Sequence, residues 1–314
     1  MYRLSGATVM EKPRLLITGA SGFLGPYLCR AASQKYHVFG ISHKNRIPVE
    51  NIQSVSADLC NEGSLVKIFN QVKPEAVIHA AAMAMPNQCQ DSPSQSQKIN
   101  VSTSLSIAAI CRDRALPMVF ISTDLVFDGK KGNYSETDPV SPVSLYGEQK
   151  VRAESGILDR LPDALICRMP LMFGDACGCG QSFIQPMVRA FRNSEVLNLF
   201  TDEFRTPVSG ACAAKGVLLA LEKNAGIMHL GGKERISRYD FGVRLAETGD
   251  FNKHLIVPKR QKEIKFSAPR PADVSLDSAK AFALGYAPAD IRTALSCLDC
   301  LSRQHTKNQS SKDR

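Results

Sequence analysis

The sequence predicts an α/β fold, with a doubly wound parallel sheet followed by a smaller mixed α/β cap. Short β-branched runs alternate with longer helical patterns from Arg14 onward, and a glycine-rich turn follows the first run. After about Met169 the alternation loosens, because Gly and Pro become frequent. We therefore expect a first domain over residues 12–168, a second region over 169–301 that is interleaved with the last sheet elements, and a disordered tail over 302–314.

Strands and helices take turns along the first domain, which is the order of a parallel sheet with helical crossovers. The predicted strands are residues 14–18, 37–41, 54–57, 76–80, 117–122 and 164–168. The predicted helices of this domain lie near 23–34, 62–72, 95–114 and 145–159. Helical patterns in the second region lie near 181–193, 210–223, 238–247 and 288–301. We expect this second region to form a cap over the carboxyl edge of the sheet.

Composition narrows the class of ligand. The 314 residues are 44% hydrophobic, enough for a sizeable core, and carry a formal net charge of +9. Lys and Arg are scattered, Trp is absent and aromatic residues make up only 7%, a pattern that argues against nucleic acid and favours a phosphate-bearing small molecule. We find no apolar run near the roughly 20 residues of a membrane span and no secretory signal, so we expect no membrane partner and a cytoplasmic location.

The ten cysteines are not spaced as in a disulfide-stabilised scaffold, so we interpret them as reduced thiols. Two spacings, Cys177-x-Cys179 and Cys297-x-x-Cys300, could together supply thiolates to zinc. Each spacing is a weak signal, and no metal site is predicted.

A glycine triplet follows the first predicted strand in LLITGASGFLGPYL. A backbone without side chains can approach a pyrophosphate there, and the N-terminus of the next helix can hold it. The alternative is a plain strand-to-helix turn. The loop residues that we expect to contact a dinucleotide are Gly19, Ser21, Gly22, Phe23, Leu24 and Gly25.

The turn after the second strand, ISHKNR, has no Asp or Glu to hold a ribose 2′-hydroxyl. It carries polar and basic residues that suit a 2′-phosphate, namely Ser42, His43, Lys44 and Arg46. NADP(H) is therefore favoured over NAD(H). The alternative is a solvated basic turn without a cofactor role, which would have the same sequence pattern. Asp58 and Leu59 follow the third strand, where they could meet the adenine; Asp58 could equally cap the next helix.

Three side chains form the candidate catalytic group. Thr123 ends the fifth strand, and Tyr146 and Lys150 lie one helical turn apart at the start of the next helix. Tyr146 would donate a proton to a carbonyl oxygen, Lys150 would lower the pKa of the phenol, and Thr123 would bind the same oxygen, with Ser122 as the substitute if the register is off by one. A Y-x-x-x-K pair also occurs by chance in many helices.

TGASGFLG, HAAA (79–82), Asn100 in KINVST, STDLVFDG and YGEQK resemble the extended short-chain dehydrogenase/reductases, most closely the dTDP-4-dehydrorhamnose reductase branch. SETDPVSPVSLYGEQKVRAE, RMPLMFGD, DEFRTPV and RPADVSLDSAKAFALG extend the resemblance over about 13–286. It implies that 12–168 is an NADP-binding Rossmann domain and that 169–301 is mostly substrate-binding. It also implies reduction of a 4-keto group on a nucleotide-activated deoxysugar.

The resemblance assigns further residues. It makes Thr123, Tyr146 and Lys150 the catalytic triad, with Tyr146 and Lys150 also beside the cofactor. Asn100 corresponds to the family's helix asparagine that orders a water behind the lysine; the alternative is a polar residue on an exposed helix face. The other residues placed against the cofactor are Ala80, Ala81, Ala82, Met169 and Pro170.

Several departures from the family pattern bear on the substrate. Asp124 is followed by Leu125, whereas the related dehydratases have an acidic pair, so reduction is favoured over dehydration. Arg205 could grip a diphosphate or pair with Glu203. Tyr134 stands where family members often carry a Trp, so the sugar pocket is expected to differ.

The leading hypothesis is therefore an NADPH-dependent reductase of a nucleotide sugar. One alternative is an epimerase on the same scaffold with tightly held NAD. The other is a noncatalytic, NADP-binding regulatory subunit of the methionine adenosyltransferase type. A homodimer is common in the resembled family and is possible here.

Overall fold

The computed structural model describes residues 12–176, 180–224 and 226–302. The strands are β1 Arg14–Thr18, β2 His37–Ser42, β3 Gln53–Ser56, β4 Ala76–His79, β5 Met118–Thr123, β6 Leu165–Met169, β7 Met172–Phe173, β8 Leu197–Phe200, β9 Phe204–Arg205, β10 Val208–Ser209, β11 Ile227–His229, β12 Ile236–Ser237 and β13 Ile256–Lys259. The helices are α1 Leu24–Ala32, α2 Glu62–Val72, α3 Pro86–Asp91, α4 Pro93–Gln97, α5 Thr103–Asp113, α6 Leu145–Arg160, α7 Ile184–Arg192, α8 Gly210–Lys223, α9 Arg238–Thr248, α10 Ala279–Ala283, α11 Ile291–Ser296 and α12 Asp299–Ser302.

The central sheet confirms the doubly wound fold. Its strand order is β11-β6-β5-β4-β1-β2-β3, and all neighbours pair in parallel. The chain moves outward from β1 to β3 and then returns to β4 on the other side of β1. The carboxyl ends of β1 and β4 therefore flank the switch point, where open α/β sheets bind ligands. The edge strand β11 was not predicted, because three residues in GIMHLGG are too short for a periodic signal.

Both faces of the sheet are buried, which explains why its strands are continuous apolar runs. Along β1, Leu15 and Ile17 pack on the face covered by α1 and α8, whereas Leu16 packs on the face covered by α2, α5 and α6. The predicted helix 145–159 corresponds to α6, and 210–223 corresponds to α8.

The predicted helix 95–114 is interrupted in the structure. A wider π-helical turn over Lys98–Ser102 joins α4 to α5 and contains Asn100. The preceding helix α3 was not predicted; it begins at Pro86, whose fixed φ suits a first helical position.

The second region forms its own core. Phe173, Ile184, Phe241 and Leu295 pack together beneath α7, α9 and α11. Short strand pairs support this layer, with β8 parallel to β13, β7 parallel to β10, and β9 antiparallel to β12. The predicted helix 288–301 is instead the two short helices α11 and α12.

Two predictions concern residues that lie wholly or almost wholly outside the described ranges. They concern Cys177, Cys179 and the tail over 302–314, of which only Ser302 is placed, at the end of α12. Within the described ranges no helix is both long enough and apolar enough to cross a membrane. No group of three or more His, Cys, Asp or Glu residues in that part of the chain could hold a metal ion.

Candidate active site

The glycine loop is built by close backbone packing. Gly19 has a φ of +69°, and a Cβ there would lie 2.6 Å from the backbone nitrogen of Ala81. A Cβ on Gly25 would lie 2.4 Å from the Gly19 carbonyl oxygen. A Cβ on Gly22 would meet only that same oxygen, at 3.3 Å. The first and third glycines therefore join the loop to β4 and α1, and the second leaves open a cradle of the kind that a pyrophosphate needs.

Of the other predicted loop residues, Ser21 and Phe23 are partly exposed in the loop, whereas Leu24 is buried in the core. Ser21 is half-buried, and Phe23 packs its ring against Tyr27 at 5.5 Å between centroids. Leu24 opens α1 with its side chain in the core, so only its backbone can face a cofactor. Gly180 of the cap, which sequence reasoning missed, lies against this loop, since a Cβ there would come within 2.5 Å of the Phe23 nitrogen.

The basic turn after β2 lies on the surface. His43, Lys44 and Arg46 are exposed, whereas Ser42 is buried at the end of the strand. Exposed cations beside the glycine loop suit a phosphate without needing a buried counter-charge.

Asp58 shapes the turn that precedes α2. Its Oδ1 accepts a hydrogen bond from the Cys60 backbone at 2.9 Å. Asn61 provides the N-cap of α2, accepting from the Ser64 backbone at 3.0 Å. Asp58 is therefore not the helix cap that the sequence left open. Leu59 packs, half-buried, against the core under α2 and α5.

A buried chain of hydrogen bonds positions the segment after β4. Thr18 Oγ1 accepts from the Ala80 and Ala81 backbones at 3.2 Å and lies 2.7 Å from His79 Nδ1. His79 Nε2 lies 3.0 Å from Ser104 Oγ. Burial, aided by Lys150, lowers the pKa of His79 to about 3. The neutral ring therefore accepts from Thr18 and donates to Ser104.

Sequence reasoning missed His79 and Ser104, because a histidine at the end of an apolar strand and a serine in a helix carry no distinctive spacing. Ala82 continues the half-buried segment after Ala81. Met169 is buried in the core at the end of β6, beside Thr123 of β5, and Pro170 after it is also buried.

Asn100 joins three parts of the site. Its Oδ1 accepts from the Met83 backbone at 2.8 Å, and its Nδ2 donates to the Met83 carbonyl at 3.1 Å and to Gln149 Oε1 at 2.9 Å. The residue is 1% exposed, so the alternative of a polar residue on an exposed helix face is wrong. Asn100 ties the segment after β4 to the helix that carries Lys150; its role in ordering water stays a prediction.

The structure brings Thr123, Tyr146 and Lys150 into one buried region. Lys150 Nζ donates to the Ile121 carbonyl at 2.7 Å and lies 4.4 Å above the centre of the Phe120 ring. The Thr123 hydroxyl donates to Asp124 Oδ1 at 3.1 Å and also interacts with Tyr146.

The start of α6 makes this arrangement possible. Ser144 is the N-cap and accepts from the Gly147 backbone at 3.3 Å. A Cβ on Gly147 would lie 2.2 Å from the Leu125 carbonyl oxygen. The helix therefore packs directly on the turn after β5, which places Tyr146 beside Thr123. The glycine of YGEQK is a positional requirement that sequence reasoning missed.

Burial dominates the protonation of the catalytic group. The pKa of Tyr146 is raised, first by burial and then by Cys89 and Asp124, while Thr123 opposes the shift. The predicted lowering by Lys150 is wrong for this arrangement, because the ammonium is directed at Ile121 and Phe120. Burial lowers the pKa of Lys150 to about 8, against the effect of Glu154. At neutral pH the phenol is protonated and the lysine is mostly charged.

Ser122 does not take the place of Thr123. Successive side chains of a strand point to opposite faces, and the Ser122 hydroxyl donates to the carboxylate of Glu154.

Arg205 is held by acidic partners inside the protein. Its Nε lies 3.4 Å from Asp124 Oδ2, and its Nη2 lies 3.5 Å from Glu203 Oε1. All three residues are buried, with Arg205 only 5% exposed. Burial raises the pKa of Asp124 to about 6, and Arg205 opposes that shift. Of the two alternatives for Arg205, the structure shows the pair with Glu203, and it also links the fifth strand to the cap.

Two further arginines, Arg238 and Arg270, interact electrostatically with Glu203 and Arg205; sequence reasoning missed both. Burial lowers the pKa of Arg238 to about 10; Glu203 opposes the shift, whereas Arg205 and Arg270 favour it. The guanidinium of Arg238 lies 4.2 Å from the centre of the Phe183 ring. Arg238 Nη1 and Arg270 Nε are buried atoms with no hydrogen-bond partner among the described residues. These donors are suited to an anion that enters from outside the chain.

Tyr134 is directed into its own loop. Its ring stacks on Phe127 at 4.2 Å, and its hydroxyl donates to Asp128 Oδ1 at 2.5 Å. It is 5% exposed, and its effect on a sugar pocket stays a prediction.

The second spacing of cysteines shows no metal-like arrangement. Cys297 is exposed, and Cys300 is half-buried with its backbone bound to Asp175 Oδ1 at 2.9 Å.

The fold and this site define an NAD(P)-dependent oxidoreductase of the short-chain dehydrogenase/reductase type. The chain belongs to the family described as the RmlD substrate binding domain, whose model matches residues 13–301. The predicted resemblance to dTDP-4-dehydrorhamnose reductases is confirmed.

Similar proteins include both enzymes and a subunit. A dTDP-4-dehydrorhamnose reductase from Aggregatibacter actinomycetemcomitans is 30% identical, over 90% of this chain and 97% of that protein. Methionine adenosyltransferase 2 subunit beta from Xenopus laevis is 25% identical, over 87% of this chain and 82% of that protein. The crystal structure of a Bacillus anthracis dTDP-4-dehydrorhamnose reductase in complex with NADP is similar in fold, with a TM-score of 0.80 at 20% identity, covering 94% of this chain and 99% of that one.

Proposed function

We propose that this protein is an NADPH-dependent reductase of a 4-keto group on a nucleotide-activated deoxysugar. The observation that carries the proposal is the buried group Thr123, Tyr146 and Lys150, which joins the end of β5 to the start of α6 at the same edge of the sheet as the glycine loop.

The protonation of these residues suits reduction. Bound NADPH would supply the hydride to the carbonyl carbon. Tyr146, kept protonated by burial, would donate its proton to the carbonyl oxygen, and Thr123 would bind that oxygen. Lys150, mostly charged at neutral pH, would fix the end of β5 that carries Thr123, through its hydrogen bond to the Ile121 carbonyl.

The preference for NADPH rests on the basic turn. Lys44 and Arg46, with His43 next to them, form an exposed basic edge after β2, where the 2′-phosphate of a dinucleotide on the glycine loop would lie. The related reductase that was crystallised with NADP is consistent with this preference.

The proposal that the substrate carries a nucleotide is supported by three arginines of the cap, Arg205, Arg238 and Arg270. Arg205 is already paired with Asp124 and Glu203, so Arg238 and Arg270 are the better candidates for a diphosphate. Asp124 is engaged by Arg205 and is followed by Leu125, which leaves no acidic pair for dehydration.

A regulatory role of the methionine adenosyltransferase type is the second candidate, since subunit beta relatives span most of the chain. Such a subunit would bind NADPH without turnover. An epimerase would instead retain NAD through many cycles.

The test is NADPH oxidation with dTDP-4-dehydro-L-rhamnose, comparing wild type, Tyr146→Phe and the control Tyr36→Phe. We expect turnover in wild type and in the control, and a loss of at least about a hundredfold in Tyr146→Phe with NADPH binding retained. Tight NADPH binding without turnover in wild type, on this and other 4-keto nucleotide sugars, would overturn the proposal in favour of the regulatory role.

A further inference from the structure

A buried ion pair lies one helical turn beyond Lys150. Glu154 of α6 accepts hydrogen bonds from Arg168 of β6, at 3.1 Å between Nε and Oε1 and 2.8 Å between Nη2 and Oε2. Glu154 also accepts from the hydroxyl of Ser122, the neighbour of Thr123 in β5. Glu154 is 5% exposed and Arg168 is 4% exposed.

The network continues to the loop that precedes α6. Arg168 Nη1 lies 3.4 Å from His229 Nε2, and His229 Nδ1 lies 3.0 Å from the Tyr134 carbonyl. The His229 backbone donates to Glu136 Oε1 at 2.9 Å. Burial lowers the pKa of His229, so the ring is neutral, with Nδ1 donating to Tyr134 and Nε2 accepting from Arg168. Each polar group of this chain therefore has a partner of the correct kind.

Burying two charges is costly, and apolar residues of similar volume often serve stability equally well. The position of Glu154 suggests what the pair adds, because residues four apart on a helix share a face. The titratable groups that act with Lys150 come from three elements: His79 from β4, Cys89 from α3 and Glu154 from α6. His79 is neutral, and burial raises the pKa of the Cys89 thiol. Glu154, ahead of Cys89, is the neighbour that opposes the lowering of the Lys150 pKa by burial.

We propose that Glu154 is a positioning residue that, from within its ion pair with Arg168, holds the Lys150 ammonium in its charged form and fixes the end of β5 at Ser122. Arg168 pairs with this carboxylate in the interior, and His229 connects the pair to the loop at Tyr134. The consequence for reduction rests on the proposed function, whereas the effect on Lys150 does not.

The experiment measures the titration of the Lys150 side-chain nitrogen by NMR in the folded protein without substrate. The signal is assigned by its loss in Lys150→Met. In Glu154→Gln, which keeps the hydrogen-bonding shape, we expect the protonation equilibrium of Lys150 to shift at least about tenfold toward the neutral amine. Glu148→Gln removes an exposed charge from the same helix and should leave the titration unchanged.

Glu154→Gln leaves Arg168 unpaired and could unfold the protein, so the titration is repeated in Glu154→Gln/Arg168→Met, which removes both charges. A shift toward the neutral amine in whichever variant is folded supports the proposal. A Lys150 titration equal to that of wild type overturns it, even if NADPH-dependent reduction is found. Conversely, a shift in a protein that shows no turnover leaves this inference standing and removes only the proposed function.

Discussion

The two halves of the molecule place their charges differently. In the sheet half, the Glu154 carboxylate near the catalytic residues is hydrogen-bonded and paired with Arg168. In the cap, Arg238 and Arg270 keep buried donor atoms without a partner among the described residues, beside the single acidic side chain of Glu203. A site that must hold a proton in place benefits from fixed, satisfied partners, whereas a site that receives an anion needs donors left open. Under the proposed function, this difference separates a half that performs the chemistry from a half that binds the nucleotide.

The largest effect that we expect is on the glycine loop. Gly19→Ala would place a Cβ in contact with the β4 segment at a positive φ, so the free energy of unfolding should fall by about 3 kcal/mol or more, with NADPH binding lost. Gly226→Ala is the matched control, since Gly226 has a φ of +63° but nothing within 4 Å of the added Cβ. It should cost only about 1–2 kcal/mol. Denaturant unfolding measures both, and equal losses would mean that close packing is not what the loop requires.

The arginines of the cap provide the next test, because their pairing differs. Arg205→Met leaves Asp124 and Glu203 buried without their partner and should lower the free energy of unfolding by about 3–5 kcal/mol. Arg238→Met and Arg270→Met should leave stability nearly unchanged and raise KM for the nucleotide sugar about 10- to 100-fold, with kcat little affected.

Arg189→Met, an exposed change on α7, is the control for these variants. Steady-state kinetics with the nucleotide sugar distinguishes the two classes. A normal KM in both Arg238→Met and Arg270→Met would remove the diphosphate role from the cap.

The halves also differ in how far the sequence predicts them. Apolar runs between helical patterns predicted the strands β1 to β6, and the motif spacing predicted which side chains meet near Thr123. The sequence did not predict the tertiary pairings: Arg238 comes from the start of α9, Arg270 from an irregular segment and Arg205 from a two-residue strand, so no periodicity relates them. The pKa of Tyr146 was predicted in the wrong direction for a similar reason, because burial is decided by packing that a local Y-x-x-x-K pattern does not contain.

The free energy of unfolding should depend on pH through Asp124, which contacts Arg205 where the two halves meet. Burial raises the pKa of Asp124 in the folded state to about 6, so its stabilising contribution is fully present below its unfolded pKa, near 3.8, and is lost as pH rises through about 6. Relative to Asp124→Asn, wild type should lose about 1–3 kcal/mol of unfolding free energy between pH 4 and pH 7. Thermal or denaturant unfolding across that range measures the difference. A constant difference would show that Arg205 keeps the carboxylate ionised throughout.

The smallest expected effect is at the surface of the sheet half, where the cations of the turn after β2 are exposed to solvent. Lys44→Ser and Arg46→Ser should each raise the Kd for NADPH about 2- to 5-fold and leave the Kd for NADH unchanged, since solvent and salt screen an exposed cation. Lys253→Ser, an exposed change in the cap, controls for the loss of overall positive charge. Fluorescence titration at two salt concentrations gives the values. An equal loss of affinity for NADPH and NADH would mean that Lys44 and Arg46 contribute only general electrostatic attraction. Any preference for the 2′-phosphate would then depend on buried Ser42 or on the backbone of the turn.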